Sequence, residues 1–348
     1  MATLSSTTAW TRKIIKWVGI GVGLIVAGLI LFRLFEFVKN QITPPPPPTV
    51  SFGKLPQIAF PHSQTDEALS YSIDTITGAL PVFPDRTNVY KTIEMEPDLL
   101  ALDKATEKVS RAGFNAFPSQ VSEGVYQWSD GDSTQLPKKM VFNIFSSNFN
   151  ISSPFLSDPQ VLSANNLPNE TAAINTAQNF LSDMSSLPED LDLDKTQATL
   201  FSIKNGSLAP STSLSNTQAV LVSFFQKNLN SLPIVYPNPN SSTMSVLVSG
   251  GERSPQVVKV DFFHQNIASE SATYPIVTAQ VAFDKLKNGE VFVASHNGGS
   301  DRVSIKEVYL GYYLGDQIQA YVMPVVVFKG NNGFTAYASA IKDDWTQN

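Results

Sequence analysis

The sequence predicts an α+β fold, in which one N-terminal transmembrane helix precedes repeated units of a helix followed by antiparallel strands. Three observations support this prediction. An apolar run near the N-terminus is long enough to cross a bilayer. Further along, segments with apolar residues every three or four positions alternate with short runs rich in Val, Phe and Leu. Clusters of Pro, Asn, Ser and Gly separate these runs, as turns do.

The apolar run covers residues 17–38 and has 22 residues. As a helix it would span roughly 33 Å, enough for the hydrocarbon core of a membrane. Only Arg33 and Glu36 interrupt it. Three basic residues and no acid precede it: Arg12, Lys13 and Lys16. The positive-inside rule therefore predicts a cytoplasmic tail at residues 1–16 and an extracytoplasmic remainder.

A cleaved signal peptide is the alternative to a permanent anchor. Its apolar region should be about 7–15 residues long and end at a site of small residues. The longer run here, which continues into Arg-Leu-Phe-Glu, favours the anchor. Within it, Gly19, Gly23 and Ala27 recur every four residues, a spacing that predicts contact with a partner helix. Since glycine is common in membrane helices, the spacing is also compatible with a helix that has no partner.

Composition limits the class of protein. The first 50 residues contain five Lys or Arg and one acid, which leaves 19 basic and 29 acidic residues, a net charge of −10, in the remainder. This balance argues against nucleic acid as a partner. The chain has no cysteine, which excludes thiolate metal sites and favours a prokaryotic envelope protein anchored in the plasma membrane.

The order of segments predicts the domain organisation. Five prolines, Pro44–Pro48, favour an extended spacer, assigned to residues 39–60. A first α+β unit follows at 61–165, and a second, larger α+β part covers 166–345. The chain from 49 to 88 is Pro-rich and reads as irregular. Helices are predicted at 96–111, 171–184 and 277–287. Strands are predicted at 125–128, 138–149, 197–203, 218–227, 242–249, 256–266, 290–295, 303–314, 319–328 and 334–341.

The last seventy residues have the most specific pattern. A helix with Ala282-Phe283 ends at Gly289, a strand with Leu310-Gly311-Tyr312 follows, and Met323-Pro324-Val325 opens a strand that continues to Phe328. A final strand ends in Ala340-Ile341. This stretch resembles the C-terminal unit of PepSY-like envelope proteins and of YycH/YycI-type regulators. The resemblance implies a membrane-anchored extracytoplasmic domain that is not an enzyme and modulates a membrane partner such as a sensor kinase.

Catalytic patterns are weak. The three histidines, His62, His264 and His296, are far apart and show no metal-ligand spacing. His264 is the one expected to be partly buried. His296, Ser300 and Asp301 lie within six residues, but the elbow that presents a nucleophilic serine is absent, so a hairpin loop is the better interpretation.

The acidic segment 189–194 has the alternation of a calcium loop. However, Lys195 and Phe201 occupy the positions, counted from Asp190, where such a loop needs Gly and Glu, so a solvated loop is favoured. Asp130 and Asp132 belong to a turn. The Gly19, Gly21 and Gly23 series lies inside the apolar run and is not a nucleotide motif. We therefore predict no catalytic, cofactor-binding or metal-binding residue.

Three functions remain open. The first, which we favour, is a non-enzymatic domain that binds or modulates an envelope or membrane partner. The second is a cell-envelope hydrolase or glycan-active enzyme with a carboxylate pair that only the fold would reveal. The third is a small-ligand-binding or adhesive surface module. An enzyme should have a pocket with convergent acids, whereas an interaction domain should expose apolar residues or a sheet edge.

Overall fold

The computed structural model describes residues 28–29, 31–33, 47–63, 69–93, 98–115, 117–130, 136–298 and 301–347. The chain divides into two compact units, Met1–Pro48 and Thr49–Asn348. Among the described residues, no helix combines the length and the apolar character that a membrane crossing requires. The predicted anchor at 17–38 lies outside the described residues except for positions 28–29 and 31–33, which are helical. It therefore stays a prediction.

The second unit is an α+β fold rich in strands, as the sequence predicts. Its strands are β1 (Ser70–Ile73), β2 (Arg86–Thr92), β3 (Ser119–Ser122), β4 (Val125–Ser129), β5 (Lys139–Asn143), β6 (Phe149–Ser152), β7 (Gln197–Lys204), β8 (Ser207–Pro210), β9 (Ala219–Phe224), β10 (Ile234–Val235), β11 (Met244–Ser249), β12 (Gln256–Phe262), β13 (Ile267–Pro275), β14 (Phe292–Ser295), β15 (Arg302–Tyr313), β16 (Tyr321–Gly330) and β17 (Thr335–Ser339). Its helices are α1 (Ala101–Arg111), α2 (Pro159–Ser163), α3 (Glu170–Asp183) and α4 (Ala279–Lys287). Short 3₁₀ turns lie at Phe155–Ser157, Leu193–Lys195, Leu214–Asn216 and Asp343–Trp345.

A nine-stranded antiparallel sheet has the order β3-β4-β5-β6-β12-β11-β9-β7-β8. Helix α3 packs on it, with Ala173, Ala177 and Leu181 fully buried at a four-residue spacing that places them on one helix face. The helix begins at Asn169, whose Oδ1 accepts a hydrogen bond from the backbone N–H of Ala172 at 2.8 Å. This sheet and helix enclose one of the two large apolar cores.

The other sheet has eight strands, five of them in the order β1-β15-β16-β17-β14. Strands β1 and β10 both pair with β15 in parallel, while β2 pairs antiparallel with β13 and β16. Helix α4 covers one face and buries Ala282, Phe283 and Leu286. As the alternation in β15 predicts, Tyr309 and Tyr313 lie in an aromatic cluster apart from the core that Leu310 enters.

The segment that enters the second unit packs against this eight-stranded sheet. Leu55 is fully buried, and its backbone N–H donates to the carbonyl of Trp345 at 2.9 Å. The ring of Phe60 stacks on Phe292 and meets Tyr313 edge-on, with centroid distances of 5.4 and 4.8 Å. The described part of the predicted spacer, residues 47–60, therefore contributes apolar side chains to the fold.

Two local predictions are wrong. The strand predicted over 138–149 is two strands, β5 and β6, because a tight turn separates them. The region 49–88, which reads as irregular, contains β1 and the start of β2. In addition, both sheets take strands from either side of residue 165.

The chain passes repeatedly between the two sheets. It crosses between β2 and β3, on either side of β10, and between β12 and β13. The last of these connections is short, residues 263–266. It lies beside the turn between β5 and β6, and polar side chains collect there.

Candidate binding site at the junction of the two sheets

The turn between β5 and β6 is held by its own first residue. The Oδ1 of Asn143 accepts hydrogen bonds from the backbone N–H groups of Phe145 and Ser146, at 2.9 and 3.0 Å. Ser147 adopts the left-handed conformation with φ of 57°. Asparagine favours such a turn because its side chain replaces a backbone acceptor.

A glycine opposite this turn makes room for it. Gly124 has φ of +67°, and a Cβ atom built there would lie 2.3 Å from the ring of Phe145. A side chain at position 124 would therefore meet both backbone strain and a ring in its way. The close approach of Gly124 and the Phe145 ring therefore fixes the positions of Ser146 and Ser147 in the turn.

Three of the cavities beside this turn share the lining residues Ser146 and Asn148. We call them together the junction cleft. Their volumes are about 460, 430 and 270 Å³. The first is also lined by Asn143, Asn150, Thr243, Asp261, Asp316 and Ile318. The second is lined by Lys108, Ser185, Ser186, Glu189, Asp190 and His264. The third is lined by Thr92, Ile93, Phe145, His264, Gln265 and Ile318.

A buried hydrogen-bond network forms the wall of the second and third cavities. The Nε2 of His264 lies 2.8 Å from Oδ1 of Asp190, and Gln226 Nε2 donates to Oδ2 of the same carboxylate at 2.7 Å. The backbone N–H of His264 donates to Oδ1 of Asn148 at 2.9 Å. Both oxygens of the Asp190 carboxylate are thus occupied, although its side chain is 41% exposed.

The environment of Asp190 favours its ionised form. Burial raises the pKa of the carboxyl, but the hydrogen bond and charge of His264 and the hydrogen bond from Gln226 act in the opposite direction. The net result is a pKa below the usual value of 3.8. An acid with a depressed pKa is a poor proton donor near neutral pH, so its role here is to hold His264.

The same network joins the two sheets. Gln265 Nε2 donates to the carbonyl of Gln317 at 3.1 Å, and its Oε1 accepts from the backbone N–H of Gln319 at 2.8 Å. Gln317 and Gln319 belong to the turn between β15 and β16 of the eight-stranded sheet. On the other side, Gln226 Nε2 donates to the carbonyl of Gln265 at 3.2 Å, and the backbone N–H of Gln226 donates to the hydroxyl of Tyr236 at 3.1 Å. Position 265 therefore connects the cleft to both halves of the fold.

Two carboxylates, Asp261 and Asp316, line the first cavity. Both are exposed, and Lys259 Nζ lies 2.6 Å from Oδ2 of Asp261. Position 261 is in β12, and position 316 follows β15, so the two acids are brought to one cavity by different sheets. Sequence reasoning anticipated such a pair in general without naming either residue.

The residues discussed from sequence are scattered. His62 is exposed, while His264 is buried as expected. Both ring nitrogens of His296 are buried and have no hydrogen-bond partner within the described chain; its ring meets Phe334 edge-on at 6.1 Å. Ser300 and Asp132 lie outside the described residues. The arrangement of His296, Ser300 and Asp301 therefore stays a prediction.

The acidic segment divides between structural roles. Asp190 forms a hydrogen bond with His264. Asp192 forms an ion pair with Lys195, with 3.0 Å between Oδ2 and Nζ. Within the ranges that the structure describes, no group of three or more His, Asp or Glu side chains could hold a metal ion.

Sequence reasoning missed Lys108, Asn143 and Asn148. A signal was present: the run Phe-Asn-Ile-Phe-Ser-Ser-Asn-Phe places four polar residues inside an apolar strand pattern. Asn and Ser clusters of this kind indicate a turn. Lys108 had no comparable signal, because a lysine on an amphipathic helix is usually solvated.

We compared the chain with protein-family models, curated proteins and solved structures. No protein-family model and no curated protein matches the chain. Solved structures that are similar to it include an uncharacterized protein from Eubacterium rectale, with 11% identity and a TM-score of 0.35 over 81% of this chain and 92% of that one. They also include the Bacillus megaterium YpeB C-terminal domain, with 13% identity and a TM-score of 0.32 over 72% of this chain and 95% of that one. These low scores carry no argument about function, and the resemblance of the last seventy residues to PepSY-like and YycH/YycI-type proteins stays a prediction.

Proposed function

We propose that the protein is a membrane-anchored extracytoplasmic domain that binds or modulates an envelope or membrane partner through the junction cleft. One observation carries this proposal: exposed apolar side chains flank a polar cleft whose amide donors are free. Ile93 and Ile318 are 53% and 70% exposed. The side-chain amides of Asn143 and Asn148 each accept through Oδ1 from backbone N–H groups, and the Nδ2 group of each makes no hydrogen bond within the described chain.

Apolar side chains beside unused amide donors suit a macromolecular partner. The apolar groups gain free energy when a partner covers them, at about 25 cal/mol per Å². The amides can then bond to carbonyl oxygens of the partner and determine its orientation. The acidic remainder, with its charge of −10, argues against nucleic acid as that partner.

The proposed anchor is residues 17–38. Its length and the basic residues before it support a single crossing with the N-terminus in the cytoplasm. Leu29, Leu31 and Phe32 are helical and about 60% exposed, with values of 61%, 66% and 59%. Contact with a partner helix through Gly19, Gly23 and Ala27 remains part of the proposal.

The absence of cysteine from the chain allows a direct test of topology. Single cysteines would replace Ser5, in the proposed cytoplasmic tail, and Ser207, an exposed residue of β8. We expect a membrane-impermeant maleimide to label S207C in intact cells and S5C only after lysis. Recovery of the mature chain from the soluble fraction without its first forty residues would contradict the anchor.

Partner binding can be tested in native membranes of the source organism. A photocrosslinking amino acid at Ile318 should give a discrete adduct, whereas the same group at Leu214, which is 43% exposed on a remote 3₁₀ turn, should not. Changing Gly19 and Gly23 to Ile should weaken the adduct if the anchor contributes. Equal labelling from positions 318 and 214 would remove the cleft from the proposal.

A second candidate function rests on the carboxylates Asp261 and Asp316, which line one cavity. Two acids facing one bound glycan would suit glycoside cleavage. The ion pair of Asp261 with Lys259 and the exposure of both acids favour the binding role instead. Release of soluble fragments from purified cell envelopes by the wild type, and its loss in both D261N and D316N, would establish the enzymatic alternative.

A further inference from the structure

The second cavity of the junction cleft is lined by Lys108, which lies in the last turn of α1. Within the described chain this lysine makes no ion pair. Burial and the neighbouring charge of Arg111 lower its pKa from the usual value. A partly buried ammonium that lacks an anion is electrostatically unfavourable, and a bound anion would relieve this cost.

Hydroxyl donors surround the same cavity. The Oγ of Ser185 accepts a hydrogen bond from Arg111 Nη1 at 2.9 Å, and the Oγ of Ser146 accepts from the backbone N–H of Asn148 at 3.3 Å. Since each oxygen already accepts, its own O–H is left to donate. The structure gives neither hydroxyl an acceptor within the described residues.

Among the described residues, neither acid that lines the cavity forms an ion pair with the lysine. Both oxygens of Asp190 accept hydrogen bonds, from His264 and Gln226. Glu189 is exposed, and no ion pair joins it to Lys108. Within the described chain, the Lys108 ammonium and the hydroxyls of Ser146 and Ser185 are thus donors of this cavity without an acceptor.

We infer that this cavity binds a phosphate-class oxyanion, with Lys108 supplying the charge and the hydroxyls of Ser146 and Ser185 donating to separate oxygens. The inference rests on the proposed binding function and names the chemistry that the cleft recognises. A tetrahedral anion is favoured over a carboxylate because the three donors come from three different elements: α1, the β5–β6 turn and the segment after α3. A tetrahedral group can present an oxygen to each, whereas a carboxylate has two oxygens in one plane.

The full chain in detergent provides the test. Melting temperatures are compared in inorganic phosphate, in glycerol 3-phosphate and in acetate, each against chloride at matched ionic strength. At ten times the dissociation constant of the phosphate, we expect the wild type to melt about 3 °C higher. The K108M variant should lose this rise and melt no lower than the wild type in chloride, because an uncompensated ammonium has been removed. S185A should reduce the rise.

The control variant is K306M, in β15. Lys306 pairs with Asp74 and is 51% exposed, and neither residue lines the cavity, so its removal should leave the response to phosphate intact. The inference is overturned if wild type and K108M respond equally, or if acetate stabilises as well as phosphate. It is also overturned if inorganic phosphate, glycerol 3-phosphate and the lipid vesicles all leave the melting temperature unchanged.

Further arms identify the source of the phosphate group. Phosphatidylglycerol and phosphatidylcholine vesicles are added to the wild type and to K108M. A response to soluble glycerol 3-phosphate assigns a soluble ligand, and a Lys108-dependent response only to phosphatidylglycerol assigns a lipid head group. Photocrosslinking from Ile318 keeps the two proposals separate: an adduct that persists when phosphate has no effect leaves the cleft as a partner site and removes only the anion.

Discussion

The eight-stranded sheet and the junction cleft are built from opposite kinds of residue. The sheet is closed by fully buried apolar and aromatic side chains, and burial raises the pKa of Tyr313 and Tyr337 well above the usual range, so both stay neutral. The cleft is formed by Asn, Ser, Gln and His side chains whose hydrogen bonds are specific in direction. The comparison indicates that stability resides in the sheet and recognition in the cleft. Substitutions should separate the two properties.

The largest expected effect on stability is at Leu55. Its side chain is fully buried against the eight-stranded sheet, so Leu55→Ala should lower the free energy of unfolding by about 2–5 kcal/mol through lost burial and a residual cavity. Denaturant unfolding would measure it. L214A, at an exposed position, should stay within about 0.5 kcal/mol of the wild type. An L55A loss as small as that of L214A would show that the entering segment is not part of the core.

The next effect concerns Gly124, beneath the turn of the cleft. Gly124→Ala should destabilise by about 1–3 kcal/mol, because the new Cβ meets the ring of Phe145 and the backbone has positive φ. Gly206 is a matched control: it has a similar φ of +71°, but a Cβ there meets no atom within 4 Å. G206A should therefore report backbone strain alone. Equal losses in the two variants would mean that the Phe145 contact contributes nothing.

A smaller effect, dependent on pH, is expected at Asp190. Because its pKa is lower in the folded chain than the usual 3.8, the unfolded state binds the proton more readily. The stabilisation is thus present above about pH 4 and is lost as pH falls toward the folded-state pKa. Asp190→Asn should cost about 1 kcal/mol near pH 6, since the side chain is partly exposed to solvent.

Thermal melting between pH 6 and pH 2.5 would check the sign. The gap in melting temperature between wild type and D190N should shrink as the pH is lowered. A double-mutant cycle with H264Q assigns the coupling to the hydrogen-bonded pair. A gap that stays constant across this range, or grows toward acid pH, would contradict the electrostatic account.

The smallest effect on stability is expected at Ile318, on the edge of the cleft. Because its side chain is 70% exposed, Ile318→Ser should change the free energy of unfolding by less than about 0.5 kcal/mol. The same change should reduce crosslinking to the partner from a neighbouring probe at Ile93. Intact crosslinking in I318S would remove this residue from the proposed contact.

Sequence reasoning located most strands and three helices because their signals are local. The helix at 171–184 is observed as Glu170–Asp183, and the strand at 303–314 as Arg302–Tyr313. Proline within a strand usually marks an edge or a bulge, yet Pro324 lies in β16, which pairs with both β15 and β17. Proline excludes one donated hydrogen bond, but only the neighbouring strands decide whether that bond is required.

The candidate site was largely hidden from the sequence. Residues 108, 146, 190 and 264 line one cavity, yet they are separated by tens of positions and belong to elements whose order in the sheet is not encoded in any local period. His264 was expected to be partly buried, but its partner Asp190, 74 positions away, was assigned to a solvated loop.

By itself the sequence determined where strands and helices form, which faces they bury and which N-terminal segment is apolar enough to serve as an anchor. These follow from side-chain periodicity and composition over a few neighbouring residues. Tertiary structure alone decided that strands from distant parts of the chain form two sheets and that a cleft of polar groups opens where they meet. Hydrogen-bond partners such as Gln265 and Gln319 find each other only after the apolar faces have packed, because packing sets the distances within which directional bonds can form.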